Sequence, residues 1–216
     1  MSDFHLFLGN KNYSSWSFRP WLAMRVANIP FTETVIPFTE TEGHNPQFEE
    51  LSPVARVPVL KAGDLTIWES LAILEFLAER FPEVRLWPED YTARAKARVI
   101  SNEMHADFGA LRGACPMNMR RKPAAIDVDT DVLKDVARVE QIWEECLKIY
   151  GGPFLFGHFT NADAMFAPVV NRLETYKLSN HEAVKEYSAA MKALPAWQEW
   201  VDASKAEPWV VPYDEL

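Results

Sequence analysis

Four hydroxyl side chains are concentrated near the start of the chain, in the stretch NYSSWSFR. They are Tyr13, Ser14, Ser15 and Ser17, and Arg19 closes the stretch. It joins a strand-like apolar run, FHLFLG, to a helix-like apolar segment, PWLAMRVANI. Hydroxyls at such a junction either cap the helix that follows or donate a hydrogen bond to a ligand held beside it. Both interpretations are open on this stretch alone.

Two dipeptides farther along carry groups that can hold an extended or anionic ligand. Proline at Val57-Pro58 would remove a ladder hydrogen bond from the strand predicted there. Either this is an ordinary edge strand, or a cis bond turns the Val57 N–H and C=O towards a ligand. At Glu69-Ser70 a helix begins, and its unpaired amides together with the Ser70 hydroxyl can receive an anionic group. The alternative is that Ser70 only caps the helix.

A fourth motif, Thr160-Asn161-Ala162-Asp163, precedes the apolar segment MFAPVV. Threonine at a helix cap and a carboxylate three residues later can satisfy each other's exposed N–H groups. We therefore interpret Asp163 as a structural residue that starts a helix, and not as a catalytic acid.

Composition excludes several classes of function. The 216 residues are 48% hydrophobic, enough for a buried core, and no run approaches the roughly 20 apolar residues of a membrane span. The N-terminus lacks a secretory pattern, so we expect a soluble, cytoplasmic protein that does not engage a membrane. Cys115 and Cys146 are too few and too far apart for a disulfide framework, and the five histidines lack ligand spacing, so we expect no metal site. A formal net charge of -9 opposes general attraction to nucleic acid.

Hydrophobic periodicity divides the chain into two domains. Residues 1–82 alternate strand-like and helix-like segments in the order β-α-β-α-β-β-α, which predicts a small mixed sheet with helices packed on it. Residues 83–90 form a predicted linker. Residues 91–216 repeat apolar side chains every three or four positions and are predicted to be all helical, with one long helix spanning Ala93 to Leu111.

In order and spacing, these motifs resemble the cytosolic glutathione transferase family over nearly the whole chain. The resemblance rests on YSSWSFR, ARVPVL, IWESLAILEFL and the TNAD box in a helical second half. It implies a thioredoxin-like N-terminal domain that binds glutathione as co-substrate, an all-helical C-terminal domain that contributes the electrophile pocket, and usually a homodimer. The first motif is most similar to the serine-type classes, nearest to the zeta class, whose motif reads SSCSWR.

The resemblance also implies roles for individual residues. Ser14 takes the place of the catalytic hydroxyl, with Ser15 second, while Tyr13 and Ser17 stay open as alternatives. The glutathione-binding residues implied are His44, Arg56, Val57, Pro58, Glu69 and Ser70. The electrophile-pocket residues implied are Trp16, Met104, His105, Phe108 and Arg112, each of which could equally belong to the core. Trp16 replaces the zeta-class cysteine, which argues against zeta-type isomerase activity.

The serine has a physical task in this scheme. A free thiol with a pKa of about 8.5 is only a few per cent thiolate at pH 7, and lowering that pKa by about two units requires about 2.7 kcal/mol. A hydrogen bond to a charged group contributes about 1.5 to 3 kcal/mol and a helix N-terminus about 0.3 to 1 kcal/mol. One serine hydroxyl at the start of a helix therefore suffices as a donor to the glutathione sulfur, with no metal or general base.

The sequence thus predicts a glutathione S-transferase that directs the thiolate of glutathione at a small apolar electrophile. Isomerisation or peroxide reduction can use the same thiolate. A thiol oxidoreductase is disfavoured because no cysteine stands at the start of the first helix. A non-catalytic glutathione-binding dimerisation module on the same fold is the remaining alternative.

Overall fold

The structure is a computed structural model that describes residues 3–38 and 45–215. Within these residues the chain forms four strands and eight α-helices. The strands are β1 (Phe4–Leu8), β2 (Thr32–Val35), β3 (Val59–Ala62) and β4 (Leu65–Trp68). The helices are α1 (Ser15–Val26), α2 (Ser70–Arg80), α3 (Tyr91–Ala106), α4 (Gly109–Ala114), α5 (Thr130–Tyr150), α6 (Asn161–Thr175), α7 (Glu182–Lys192) and α8 (Pro195–Ala206). A mixed sheet domain followed by a helical domain is therefore confirmed. The helix predicted between the second and third strands is instead a 3₁₀ turn of three residues, Pro46–Phe48.

The four strands form one sheet in the order β2-β1-β3-β4, with β1 and β2 parallel and the other pairs antiparallel. Leu6 of β1 is opposite Leu60 of β3, and both side chains are buried between the sheet and the helices. Because β3 pairs with β1 and β4, it is an inner strand, and the edge-strand interpretation of Val57-Pro58 is wrong. The ladder begins at Val59, and the cis dipeptide lies just before it.

Helix α1 holds the two halves of the molecule together. Apart from Trp16, every residue from Ser15 to Met24 is buried, which is typical of a helix covered on all sides. The Phe18 ring stacks on Trp200 of α8 with 4.8 Å between ring centroids, and Arg19 Nε donates to the Met165 carbonyl of α6 at 2.9 Å. The start of α1, which belongs to the sheet domain, is therefore fixed by contacts with the helical domain.

One long helix predicted over Ala93 to Leu111 is instead two. Helix α3 ends at Ala106, and Phe108 adopts a left-handed backbone conformation with φ 59° before α4 begins at Gly109. The apolar period continues through the break because the Phe108 ring still enters the core, 6.5 Å from the Phe166 ring. Helical periodicity indicates which side of a helix is buried, but it does not show where the helix axis changes direction.

The division of the chain into two domains by a linker at residues 83–90 remains a prediction.

The capping box at the start of α6 is confirmed. Thr160 is the N-cap residue, and its N–H and hydroxyl donate to Asp163 Oδ2 at 2.8 and 3.0 Å. The other oxygen, Oδ1, accepts the Leu155 N–H at 3.0 Å and the Tyr187 hydroxyl at 3.1 Å. Asp163 is fully buried, and this burial raises its pKa to about 6 against the effect of the four donors. Its role in the fold is the structural one expected from the sequence.

Candidate active site

A cavity of about 390 Å³ lies where the sheet domain meets α3 and α4. Its walls come from the start of α1, the segment before β3, the junction of β4 with α2, and two side chains of the helical domain. The lining residues are Trp16, Val54, Arg56, Val57, Pro58, Trp68, Glu69, Ser70, His105 and Arg112. A site at this place combines an exposed stretch of backbone with a helix N-terminus, as the two dipeptides predicted.

The junction of β4 with α2 presents one unused donor to this cavity. Ser70 is the first residue of α2 and is 1% exposed, yet within the described part of the chain its Oγ has no hydrogen-bond partner. The N-cap position belongs to Glu69 instead, so the interpretation of Ser70 as a simple cap is wrong. A buried hydroxyl without a hydrogen-bond partner costs about 1–3 kcal/mol of stability, and a ligand that accepts this hydrogen bond would remove the cost. Because Ser70 also lies at the positive end of a helix, the ligand group that fits here best is an anion.

Glu69 itself has an unusual backbone, with φ 67° and ψ 123°. A non-glycine residue with positive φ costs about 1–3 kcal/mol and occurs often at ligand sites. Its carboxylate lies 4.0 Å from His105 Nε2, across the cavity from α2 to α3. The carboxylate and the imidazole therefore face each other over the opening between the two domains.

The opposite wall is built around the indole of Trp16. The His105 ring meets it edge-on, with 5.3 Å between ring centroids, and the Arg112 guanidinium carbon lies 5.3 Å from its centre. Within the described residues, His105 Nδ1 and Arg112 Nε are buried without hydrogen-bond partners. With Arg56 also in the lining, the cavity has two guanidinium groups and one imidazole against the single carboxylate of Glu69. This charge balance favours anionic ligands.

A further positive charge is buried next to Trp16. The Arg19 guanidinium carbon lies 4.0 Å from the centre of the indole, and the residue is fully buried. Nε donates to Met165, whereas Nη1 and Nη2 have no hydrogen-bond partner in the part of the chain that the structure describes. Burial, followed by the charges of Arg172 and Arg112, lowers the Arg19 pKa well below its usual value. Since a guanidinium stays protonated in proteins, the start of α1 carries a positive charge that has no carboxylate partner among the described residues.

The serines at the start of α1 are nearly buried and do not line the cavity themselves. Ser14 is 4% exposed and Ser15 8%, and they immediately precede the cavity residue Trp16. Ser14 is at the N-cap position, but its side chain makes no capping bond. Its Oγ instead lies 2.7 Å from Ser17 Oγ. The predicted hydroxyls thus lie directly before a lining residue without lining the cavity themselves, and the favoured one does not cap the helix.

Tyr13 is held away from a ligand role by long-range contacts. Its hydroxyl donates to Glu215 Oε1 at 2.6 Å and accepts from Arg120 Nη2 at 2.8 Å. Burial is the largest factor that raises its pKa. Because both functions of the hydroxyl are used within the protein, Tyr13 is the weaker alternative to the serines.

The remaining predicted residues divide between cavity and core. Met104 and Phe108 are buried in the core and do not line the cavity, as their neighbours His105 and Arg112 do. His44 lies outside the described residues. Sequence reasoning missed Val54 and Trp68, although both directly adjoin the ARVP and ES motifs and adjacency could have indicated them.

The two cysteines do not line this cavity. Cys115 and Cys146 are free, fully buried, and burial raises the pKa of each thiol to about 11. Within residues 3–38 and 45–215, no three His, Cys, Asp or Glu side chains gather in a way that could hold a metal ion. Among the helices described, none is long and apolar enough to cross a membrane.

Comparison with known proteins agrees with this arrangement. Residues 13–80 match the family model of the glutathione S-transferase N-terminal domain, and residues 117–203 that of the glutathione S-transferase C-terminal domain. Maleylacetoacetate isomerase of Rattus norvegicus is 30% identical over 203 residues, which cover 86% of this chain and 87% of that protein.

Two solved structures share the fold. A glutathione transferase homologue from Burkholderia gl BGR1, with bound glutathione, has a TM-score of 0.73 at 20% identity and covers 94% of this chain and 99% of its own. A maleyl pyruvate isomerase, described as a bacterial zeta-class glutathione S-transferase, has a TM-score of 0.72 at 22% identity and covers 94% of this chain and 98% of its own. The two family models and the rat relative together establish that the chain belongs to the glutathione S-transferase family, as its motifs predicted.

Proposed function

We propose that this protein binds glutathione in the cavity between its domains, stabilises the thiolate, and directs it at an electrophilic carbon of a small second substrate. The single observation that carries the proposal is the buried, unpartnered hydroxyl of Ser70 at the N-terminus of α2. This donor and the free amides of the helix suit the γ-glutamyl carboxylate of glutathione. The Burkholderia relative with bound glutathione supports the same ligand.

The two ends of the tripeptide then have distinct partners. In this arrangement the Val57 backbone pairs with the cysteinyl unit and Arg56 with the glycyl carboxylate, since both residues line the same cavity as Ser70. The thiol is directed at the start of α1, where the Ser14 hydroxyl is the donor. Arg19 adds positive charge in a fully buried position, where screening by water is weak. The proposed mechanism therefore needs no metal and no general base.

The test separates binding from thiolate formation. Ultraviolet absorbance follows the thiolate of bound glutathione as a function of pH, and calorimetry gives the dissociation constant. For Ser14→Ala we expect a thiol pKa higher by about one to two units with little change in affinity. For Ser70→Ala we expect a dissociation constant about 10- to 100-fold higher, because a bond to a charged group contributes about 1.5–3 kcal/mol.

Two variants complete the design. Ser204→Ala removes another fully buried serine hydroxyl, in α8 remote from the cavity, and is the matched control. Ser15→Ala identifies the donor: a pKa rise in this variant and none in Ser14→Ala would move the assignment to Ser15. If neither serine variant changes the thiol pKa, stabilisation of the thiolate by Ser14 or Ser15 is refuted. Binding of glutathione without turnover of any electrophile would instead support the non-catalytic module.

A second candidate, an isomerase on the same site, is favoured by the cations of the cavity. The sequence indicates a small apolar electrophile, whereas the Arg112 and His105 side chains favour a compound that also carries a carboxylate. The rat and bacterial relatives are both named isomerases. In such a reaction the thiolate adds to one carbon of a cis double bond, the resulting single bond rotates, and elimination of the thiolate returns the trans product and glutathione. Trp16, in the place of the zeta-class cysteine, remains the feature that argues against it.

Consumption of glutathione distinguishes the two candidates. Conjugation uses one glutathione for each product molecule, and isomerisation uses none. For Arg112→Gln we expect kcat/KM to fall about tenfold or more for an unsaturated carboxylate and to change little for a neutral electrophile of similar size. An equal loss for both substrates would show that Arg112 acts through the fold and not through a charge on the substrate.

The homodimer, the cytoplasmic location and a role in detoxification are further parts of this proposal. They are supported by family membership, and the overall negative charge supports the absence of a nucleic-acid partner. Sedimentation equilibrium tests the dimer, because a mass near 24.7 kDa at micromolar concentration would contradict it. Peroxide reduction by the same thiolate is tested with an organic hydroperoxide in the same assays.

A further inference from the structure

The three serines at the start of α1 do not have equivalent surroundings. Ser17 is completely buried, one turn into the helix from Ser14. Its Oγ accepts the Gly9 N–H at 3.1 Å and lies 2.7 Å from Ser14 Oγ. These are its two hydrogen-bond contacts among the described residues, so the direction of each bond follows from counting protons.

Each hydroxyl has one proton and can also accept. The Gly9 amide can only donate, so Ser17 Oγ accepts from it. Among the residues that the structure describes, the proton of Ser17 then has one acceptor within hydrogen-bond distance, Ser14 Oγ at 2.7 Å. If Ser14 donated to Ser17 instead, the Ser17 proton would be buried without an acceptor, at a cost of about the desolvation of one polar group. In the favoured arrangement the chain of donors runs from Gly9 N–H and Ser17 O–H to Ser14, and the Ser14 proton is left for an outside acceptor.

We infer that Ser17 is a positioning residue, whose hydroxyl holds Ser14 Oγ as an acceptor and so directs the single Ser14 proton to the sulfur of glutathione. This inference rests on the proposed role of Ser14. Consecutive hydrogen bonds polarise one another, so the Ser17 bond also makes the Ser14 hydroxyl a better donor to a thiolate. It also accounts for an N-cap serine whose side chain does not cap its helix.

The packing around the pair limits any other position for the Ser14 hydroxyl. A Cβ added at Gly9 would lie 3.1 Å from Ser14 Oγ and 2.5 Å from the Phe38 ring, so the backbone directly after β1 closes tightly on this side. On the other side Ser17 is fixed within α1. Without the Ser17 hydroxyl, Ser14 Oγ would be expected to turn to the free amides of the helix start, as N-cap serines usually do.

A double-mutant cycle tests the inference through the pKa of the bound glutathione thiol. We compare wild type, Ser14→Ala, Ser17→Ala and the double variant, with Ser204→Ala as the buried-serine control. For Ser17→Ala we expect about three- to tenfold less thiolate at a pH below the thiol pKa, which is a rise of about 0.5 to 1 pKa unit. In the Ser14→Ala background the same change should have no further effect, because Ser17 acts through Ser14.

Affinity for S-methylglutathione, which has no thiol, reports whether the site remains intact. We expect it to be the same in wild type and Ser17→Ala, and Ser17→Thr, which restores a hydroxyl, should restore the thiol pKa. A shift in Ser14→Ala without one in Ser17→Ala overturns only the inference. Equal shifts from Ser17→Ala in both backgrounds, or an equal loss of S-methylglutathione affinity, also overturn it by showing a structural effect. No shift in Ser14→Ala refutes the proposed role of Ser14, and the inference with it.

Discussion

Replacing Asp163 by asparagine tests the interpretation of this buried carboxylate as a structural group. Each carboxylate oxygen accepts two hydrogen bonds, Oδ1 from Leu155 N–H and Tyr187 and Oδ2 from the N–H and hydroxyl of Thr160. An amide has one oxygen, so in either orientation its NH₂ group faces one of the two backbone N–H donors. The hydroxyl donors can rotate to suit the amide, but that backbone N–H cannot.

The size of the effect follows from this geometry. A buried N–H group left without an acceptor costs about 1–3 kcal/mol. Loss of the hydrogen bond that this group made to the Asp163 carboxylate in the helix cap costs about 1 kcal/mol more. We therefore expect Asp163→Asn to lower the free energy of unfolding by about 3 kcal/mol at pH 5, where the raised pKa keeps Asp163 protonated in the folded state and the substitution removes no buried charge. With a slope of about 3 kcal/mol per molar urea, the unfolding midpoint falls by about 1 M.

The same substitution at Asp129 is the matched control. Asp129 also starts a helix, but it is exposed, and its recorded hydrogen bonds within the described part of the chain go to Oδ1, which accepts from the N–H groups of Asp131 and Val132. Asparagine caps a helix as well as aspartate, so Asp129→Asn should change stability by less than about 0.5 kcal/mol. Urea titrations followed by tryptophan fluorescence and circular dichroism, at one protein concentration, give both values. Equal midpoints for the two variants would refute the role assigned to the Asp163 oxygens.

Further predictions concern pH, the cysteines and the C-terminal segment. The Asp163 pKa is raised from 3.8 to about 6, so between these values the folded state retains a proton that the unfolded state loses. Stability from this group is thus present at low pH and falls by up to about 3 kcal/mol as pH rises from 4 to 6, a slope that Asp163→Asn should lack in urea titrations. Cys115 and Cys146 should react with a disulfide reagent at pH 8 about 100-fold more slowly in the native protein than in denaturant, and rapid native labelling would contradict their burial. Glu207 accepts the N–H groups of Lys11 and Asn12 at 2.7 and 3.1 Å, so Glu207→Ala should speed hydrogen exchange of these amides about tenfold or more. Unchanged exchange would show that Glu207 does not hold the loop before Ser14.

Local sequence was sufficient wherever the deciding contacts are local. The bounds of β1 and β4 and the capping box at Thr160 follow from periodicity and cap residues a few positions apart, whereas the helix predicted between β2 and β3 is only a three-residue 3₁₀ turn. The V-P and E-S dipeptides likewise predicted two walls of one cavity, since each lies at the end of an element whose exposed backbone groups have no internal partner.

Only the tertiary structure decided which side chains the ligand can reach. Met104 and His105 are neighbours on one helix, but Met104 is buried in the core and His105 lines the cavity. The packing of this helix against the sheet domain decides which of the two faces the core, and the local sequence does not contain that information. Tyr13 is occupied by Glu215, 202 residues away, and no local pattern reports such a contact. The sequence by itself determined the family and the hydroxyl-bearing junction at the first helix. The fold decided that Ser14 is paired with Ser17 and free of the cap, because that depends on how closely the backbone at Gly9, directly after β1, approaches α1.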